Sequence, residues 1–331
     1  QGRGAETFAA DLIRELAGRG VAQRVVALRS PIVRDGSFSC DVTYPDGRGL
    51  RLPVVGVQTD GIGVLRKVVS RWRPHVIQAH GGESLKYLAA ARLTDSAALV
   101  YRRIGMAPPW LGSPVRRRLH AALMRTPARV VAVAEAVRRE AIERFGLLPT
   151  TVVTIPNAVA VERIRPRRPR WEVRRSLGIP PTSICVLSLG ALTWEKDPRA
   201  HLHVTAAAIR AGADVHHVFV GDGPLREEVA LARETLGVRD RVHVLGHRSD
   251  VGDFLYASDC LLFASREGGM EGMPASVIEA GLAGLPVVGY SIAGVPEVVV
   301  HGTTGLLVPP GDVAGLGRAL EIGRASCRER V

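Results

Sequence analysis

Two glutamates with seven residues between them, Glu271 and Glu279, bracket the stretch Gly272-Met273-Pro274. Proline has a fixed φ and no N–H, so Pro274 suits the first turn of a helix, where that N–H would have no partner. The amides of Gly272 and Met273 would then lie at a helix N-terminus, where unpaired N–H groups and aligned peptide dipoles bind anions such as a diphosphate. Eight helical positions span about 12 Å, so the two carboxylates could accept hydroxyls on either side of that diphosphate. A glutamate near a helix start is also an ordinary charged cap. Glu279 does not fit that role, because it lies among Val277, Ile278, Ala280, Leu282 and Ala283 and needs a partner if buried. A cation for the same anion stands in Gly190-Ala191-Leu192-Thr193-Trp194-Glu195-Lys196-Asp197-Pro198, directly after an apolar run. Only three of the 44 basic residues are lysines, and Lys196 is one of them. A lysine point charge stabilises negative charge growing on a departing diphosphate.

Other chemistries fit less well. Gly2-Arg3-Gly4, Gly61-Ile62-Gly63 and Gly221-Asp222-Gly223 each lack the third glycine of a dinucleotide fingerprint, with Thr7, Arg66 and Arg226 in its place. No Asp-x-Asp occurs to chelate a divalent ion on a nucleotide. The cysteines Cys40, Cys185, Cys260 and Cys327 are scattered, against a zinc site or a disulfide framework. No cofactor and no metal are therefore expected.

The elements that must carry these residues alternate. A helix over Ala5–Leu16 is followed by short apolar runs at Val25–Leu28, Val54–Val57, Val76–His80, Ala98–Tyr101, Val130–Val133 and Val152–Ile155. Six more follow at Ile184–Leu189, His216–Val220, Val242–Leu245, Cys260–Phe263, Pro286–Gly289 and Leu306–Val308. Four- to six-residue apolar runs separated by helical stretches read as buried parallel strands. Two sets of six predict an α/β protein of two tandem doubly wound, Rossmann-like domains, whose ligands bind at the carboxyl ends of the strands, in the cleft between the two. The expected divisions are 1–160, a basic connector 161–183, a second domain 184–322 and a tail 323–331.

Charge is divided unevenly. Residues 1–160 carry a net +12, residues 161–175 add +5 from seven Arg and two Glu, and the remainder carries −5. Self-repulsion together with Pro166 and Pro169 predicts an extended connector. The basic half suits an anionic partner, either a phosphorylated acceptor or a membrane surface. A helix over Pro114–Arg125 places Val115, Leu119 and Ala122 on one face among Arg116, Arg117, Arg118 and Arg125, after Trp110-Leu111. That pattern suits either a core helix with a solvated basic face or peripheral binding to anionic lipid. Only five Tyr and six Phe are present and no basic–aromatic motif recurs, so nucleic acid is not expected. No apolar run is long enough to span a bilayer, which is consistent with a cytoplasmic protein, peripheral at the inner face of the membrane.

With these residues in view, the chain resembles the retaining glycosyltransferases of the GT-B fold, family 4. The resemblance is carried by Glu271 through Glu279, Gly221-Asp222-Gly223-Pro224, Gly246-His247-Arg248-Ser249-Asp250, Ala257-Ser258-Asp259, Gly294-Val295-Pro296-Glu297 and Thr304-Gly305-Leu306. In the first half Arg73-Pro74-His75-Val76 and Ile155-Pro156-Asn157 are similar to the family's pattern. The resemblance implies hexosyl transfer with retention from a UDP- or GDP-sugar to a glycan, lipid-linked or phosphorylated acceptor, without a metal. It implies that Lys196 contacts the diphosphate, that Glu271 with the Gly272 and Met273 backbone holds sugar and phosphate, and that Glu279 accepts from the ribose. Gly4 would approach the diphosphate, Arg248 would lie by the nucleobase, and His80 would orient the sugar or acceptor.

The chain departs from the pattern in three places. Ala191 stands where the family carries an arginine, and Arg199 or Arg266 is left to replace it. The opening strand of the first domain and the long final helix are missing, so the chain reads as truncated at both ends, with 323–331 as a non-native tail. A sugar-nucleotide epimerase of the same fold, drawing on Glu83, Asp95 or His80, and a catalytically impaired nucleotide-sugar-binding module remain as alternatives.

Overall fold

The computed structural model describes residues 4–28, 40–46, 49–52, 57–93 and 96–328. They divide into two compact units between Asn157 and Ala158. Both are α/β, and each is built from parallel strands joined by helices.

In the first unit, Val76–His80, Ala98–Arg103, Arg129–Ala132 and Val152–Thr154 form a parallel sheet in chain order. The core is apolar on alternate positions and includes Ala79, Leu99, Tyr101, Val130, Ala132 and Val152, covered by Leu85 and Leu88 of helix Gly81–Ala90. The expected set of six is not one sheet among the described residues. Val25–Val26 pairs instead with Val42–Thr43, and Val57–Gln58 pairs antiparallel with Arg51–Leu52. Leu52 is exposed, whereas its pairing partner Val57 is buried. Of the strand expected at Val54–Val57, residues 54–56 lie outside the described residues.

The second unit carries the larger sheet. Its six parallel strands run in the order Val242–Val244, Val215–Val220, Ile184–Leu189, Cys260–Phe263, Val287–Tyr290, Gly305–Val308. Chain direction across the sheet reverses between Ile184–Leu189 and Cys260–Phe263, the first and fourth strands of this unit. In doubly wound sheets that reversal opens a crevice at the carboxyl ends, where ligands bind. Strand Val215–Val220 is buried at every position and Cys260–Phe263 likewise, as expected of strands covered on both faces.

One expectation is corrected here. Residues 161–183 are not an extended connector. Val161–Ile164 forms a 3₁₀ turn and Arg170–Ser176 an α-helix, both packed on helix Val251–Ala257. The arginines do not repel one another outward because carboxylates of the second unit neutralise them: Arg168 binds Asp253 at 2.8 Å and Asp250 at 3.2 Å, and Arg174 binds Asp259 at 2.6 Å. Residues 323–328, expected as part of a tail, continue the last helix. One helix runs from Val313 to Arg328, anchored through the buried Leu316, Ala319 and Leu320, and residues 329–331 lie outside the described residues. Among the described residues, no helix is long and apolar enough to cross a membrane.

Several histidines are held neutral by burial. His201 is pushed down to about 3, and His80, His120 and His243 to about 4. The unfolded chain, with ordinary histidines, binds more protons than the native state below pH 6.5, so stability falls as the pH drops from 6.5 toward 4. Urea midpoints measured from pH 7 to pH 4 should decline through that window. A flat profile would mean that these rings are not neutral.

Candidate functional site

Lys196 and Glu271 reach the same place from opposite sides of the topological reversal. Lys196 ends a 3₁₀ turn, Trp194–Lys196, in the loop after strand Ile184–Leu189. Asp197 follows in the left-handed region (φ 44°), and its carboxylate caps helix Pro198–Arg210 by accepting from the Ala200 N–H at 3.3 Å. Glu271 lies in the loop after strand Cys260–Phe263. The Lys196 Nζ donates to Glu271 Oε1 at 2.5 Å and stands 5.6 Å from the Phe263 ring centroid. The Glu271 side chain is 12% exposed and that of Lys196 30%, so the pair lies near the surface.

Glycines hold this loop in place. A Cβ at Gly221 would overlap the Gly190 carbonyl, and one at Gly223 would overlap the Leu192 carbonyl. Gly221 also has φ 142°, so the turn Gly221-Asp222-Gly223-Pro224 has glycine where the backbone of the lysine loop presses closest.

The Glu271–Glu279 stretch differs slightly from expectation. Pro274 is the capping residue (φ −67°, ψ 127°), not part of the first turn, and the helix is Ala275–Leu282. Gly272 is tied by its carbonyl, which accepts from Gly294 N–H at 2.7 Å, and Met273 is buried. Glu279, which needed a partner, has one: it is 4% exposed, and Arg163 donates to Oε1 at 2.8 Å. Arg163 comes from the basic stretch, 116 residues away in sequence.

Arg248 binds Asp250 through both Nε (2.8 Å) and Nη2 (2.6 Å), which holds its guanidinium above the Phe254 ring at 5.5 Å. Together with Arg167, Arg168, His247, Ser249, Asp250 and Asp253 it lines a pocket of about 380 Å³. Of the two arginines left to replace the cation missing at Ala191, Arg199 is drawn off to Glu228. Arg266 stays at the lysine loop: its N–H donates to Glu195 O at 2.9 Å, its Nη2 to Asp197 at 3.0 Å, and its guanidinium covers the Trp194 ring at 5.4 Å.

On the first unit, His80 ends strand Val76–His80 beside Arg102 on the next strand. Its Nε2 is 3.0 Å from the Gln78 side-chain amide nitrogen. An amide NH₂ can only donate, so Nε2 accepts and Nδ1 carries the proton. That Nδ1 is buried with no partner among the described residues. Burial first, and then the Arg102 charge, push the imidazole down to about 4. Arg102 itself lies 3.5 Å from the Phe8 ring centroid and donates to Asn157. Sequence reasoning missed Arg102; the only signal was its place at the end of a strand neighbouring His80. Gly4 opens helix Gly4–Gly18, while Gly2 and Arg3 lie outside the described residues. Among the described residues, no three His, Cys, Asp or Glu side chains converge as a metal-holding group.

A family model described as glycosyl transferases group 1 matches residues 183–322, and one described as Glycosyltransferase Family 4 matches residues 2–163. The 2-deoxystreptamine N-acetyl-D-glucosaminyltransferase of Streptomyces fradiae is 29% identical over 93% of this chain and 79% of that protein. The 2-deoxystreptamine glucosyltransferase of Streptomyces kanamyceticus is 27% identical over 77% of this chain and 69% of that protein. Among solved structures, Anabaena Alr3699/HepE in complex with UDP and glucose superposes with a TM-score of 0.79 at 22% identity, covering 99% of this chain and 87% of that one. WaaG, a glycosyltransferase involved in lipopolysaccharide biosynthesis, gives 0.75 at 17% identity, covering 99% and 89%. These structures share the GT-B fold with this chain.

Proposed function

This chain belongs to the glycosyltransferases of group 1 and family 4, and from that premise we propose that it transfers a hexosyl group from a UDP- or GDP-sugar with retention of anomeric configuration. The observation that carries the donor assignment is the Lys196–Glu271 pair at the reversal point of the second sheet. In the reaction the anomeric C–O bond to the diphosphate breaks, an acceptor oxygen bonds to the same carbon on the face the diphosphate leaves, and the acceptor's hydroxyl proton passes to the departing diphosphate. Negative charge grows on the leaving diphosphate, and Lys196 stabilises it, with Arg266 as the second cation. Glu271 holds the Lys196 ammonium until the donor arrives and then orients the sugar with the Gly272 and Met273 backbone. Glu279, held by Arg163, accepts from the ribose, and Arg248 borders the base. On the first unit, His80 is assigned to orienting the sugar or acceptor.

The reading needs neither metal nor cofactor. Titration of the full chain with UDP and GDP in the presence of EDTA should show one of the two binding, and Glu279→Ala should weaken it by roughly tenfold or more, as expected for a lost hydrogen bond to a charged group. Binding that appears only when a divalent ion is added would sink the metal-free reading.

For the acceptor, the charge of residues 1–160 favours an anionic molecule over an aminocyclitol such as the one that the two Streptomyces relatives are named for. Helix Pro114–Met124 supports a lipid-linked one. Val115 and Leu119 are 65% and 66% exposed beside Arg116, Arg117 and Arg118, so the apolar stripe is not a core face. Each basic residue at an anionic surface contributes about 1 kcal/mol. Arg116→Glu with Arg118→Glu should therefore lower binding to phosphatidylglycerol-containing vesicles by about 30-fold or more. Equal sedimentation of both proteins with those vesicles would leave the stripe without this role.

A further inference from the structure

Beneath the lysine loop, four fully or nearly fully buried polar side chains form one connected group that the reaction does not use: Ser188, His201, Thr205 and His217. Burying so many polar atoms is tolerated only when each is paired, and here the pairing admits one assignment of protons. The Ala264 N–H can only donate, and it meets His201 Nε2 at 3.1 Å, so that nitrogen is the acceptor. His201 therefore carries its proton on Nδ1 and donates to Ser188 Oγ at 2.5 Å. The Ser188 hydroxyl passes its own hydrogen to His217 Nε2 at 2.7 Å. His217, accepting there, donates from Nδ1 to Thr205 Oγ1 at 2.5 Å, and Thr205 closes the chain on the His201 carbonyl at 3.0 Å. Each donor in the chain is used once, and none is left over. A second proton on either ring would set two donors against each other.

The position of this chain matters more than its stability. Ser188 lies two residues before Gly190, where the lysine loop begins. His201 and Thr205 are on helix Pro198–Arg210, which Asp197 caps directly after Lys196. At the other end, Ala264 is the root of the loop that carries Arg266 and Glu271. The same two loops meet again through Arg266 N–H to Glu195 O and Arg266 Nη2 to Asp197.

We propose that this directional hydrogen-bond chain sets the spacing of the Lys196 and Glu271 loops, and that His201 is a positioning residue for the donor diphosphate. The inference rests on the donor-site reading given above. The test uses the full chain titrated with UDP and GDP, comparing His201→Leu, His201→Gln and Lys196→Ala with the unaltered protein. His201→Leu strands the Ala264 N–H and should weaken nucleotide binding by about tenfold or more while the protein stays folded. His201→Gln presents an oxygen to the Ala264 N–H and should recover most of that loss, which a mere packing role would not require. If Lys196→Ala loses binding but a folded His201→Leu binds within about twofold of the unaltered protein, the positioning role is overturned and the donor site stands. If Lys196→Ala binds normally, the donor-site reading falls, and this inference with it. Should the leucine variant fail to fold, long-range ¹H–¹⁵N spectra of the unaltered protein decide. Both His201 and His217 should appear as the Nδ1–H tautomer at neutral pH, and the His201 signals should shift on adding the nucleotide that binds. An Nε2–H signal from either ring, or His201 signals unmoved by bound nucleotide, would overturn the proposal.

Discussion

Lys196→Ala is expected to lower kcat by about 10²–10³-fold, the usual cost of removing one preorganised donor from a site of developing negative charge. The loss should fall mainly on kcat, because the charge that Lys196 meets is larger in the transition state than in the bound donor. Lys196→Arg should not restore the rate, since a planar guanidinium does not replace a compact ammonium in a pocket shaped by Phe263 and Glu271. Glu271→Gln offers the contrast: it keeps an oxygen for the sugar and releases the ammonium, so its effect should be smaller than that of Lys196→Ala. Nucleoside diphosphate release under donor saturation measures all three. A Lys196→Ala enzyme within about threefold of the unaltered rate would remove Lys196 from the chemistry.

Asp259→Ala should be the most destabilising single change in the second unit. Its carboxylate accepts from Arg174 Nη2 at 2.6 Å and from the Cys185 N–H at 2.7 Å, and it also binds Arg170. The Arg174 side chain is only 5% exposed, and its other donors are spent on the carbonyls of Ala257, Pro181 and Ser183. Removing Asp259 leaves a buried guanidinium without its counter-charge, a loss of about 3–5 kcal/mol. In a unit of this size that is a fall in Tm of roughly 6–20 °C. Removing both partners, as Asp259→Ala with Arg174→Met, should recover a large part of the loss, because the cost lies in the orphaned charge and not in the missing attraction. A single variant that melts within about 2 °C of the unaltered protein would contradict the account.

The residues that were legible in the sequence share a cause. Lys196 and Glu271 stand in loops directly after apolar strands, and a parallel sheet places such loops at one edge whatever the details of packing. The need of Glu279 for a partner was equally legible, because its neighbours are apolar. The partner itself was not, since Arg163 lies 116 residues away and local spacing carries no information about it. The arginines of 163–175 were misread for the same reason. A charge run seen alone predicts repulsion, whereas the neutralising Asp250, Asp253 and Asp259 lie more than 80 residues downstream. Periodicity correctly placed Val115 and Leu119 together on helix Pro114–Met124, yet periodicity cannot say whether a stripe is covered, and here it is exposed. His201 and His217 drew no notice because a histidine within an apolar run gives no sign of what meets its two nitrogens.

The fit between the arginines of 163–175 and the carboxylates of the second unit bears on how such enzymes can be recombined. When halves are exchanged between relatives to pair a new acceptor specificity with this donor site, the seam belongs ahead of Ala158. A graft joined near 184 would import foreign side chains opposite Asp253, Asp259 and Glu279, and take from each the arginine of this chain that binds it. The basic stretch thus belongs with the second unit, and a recombinant that replaces the first unit should keep it.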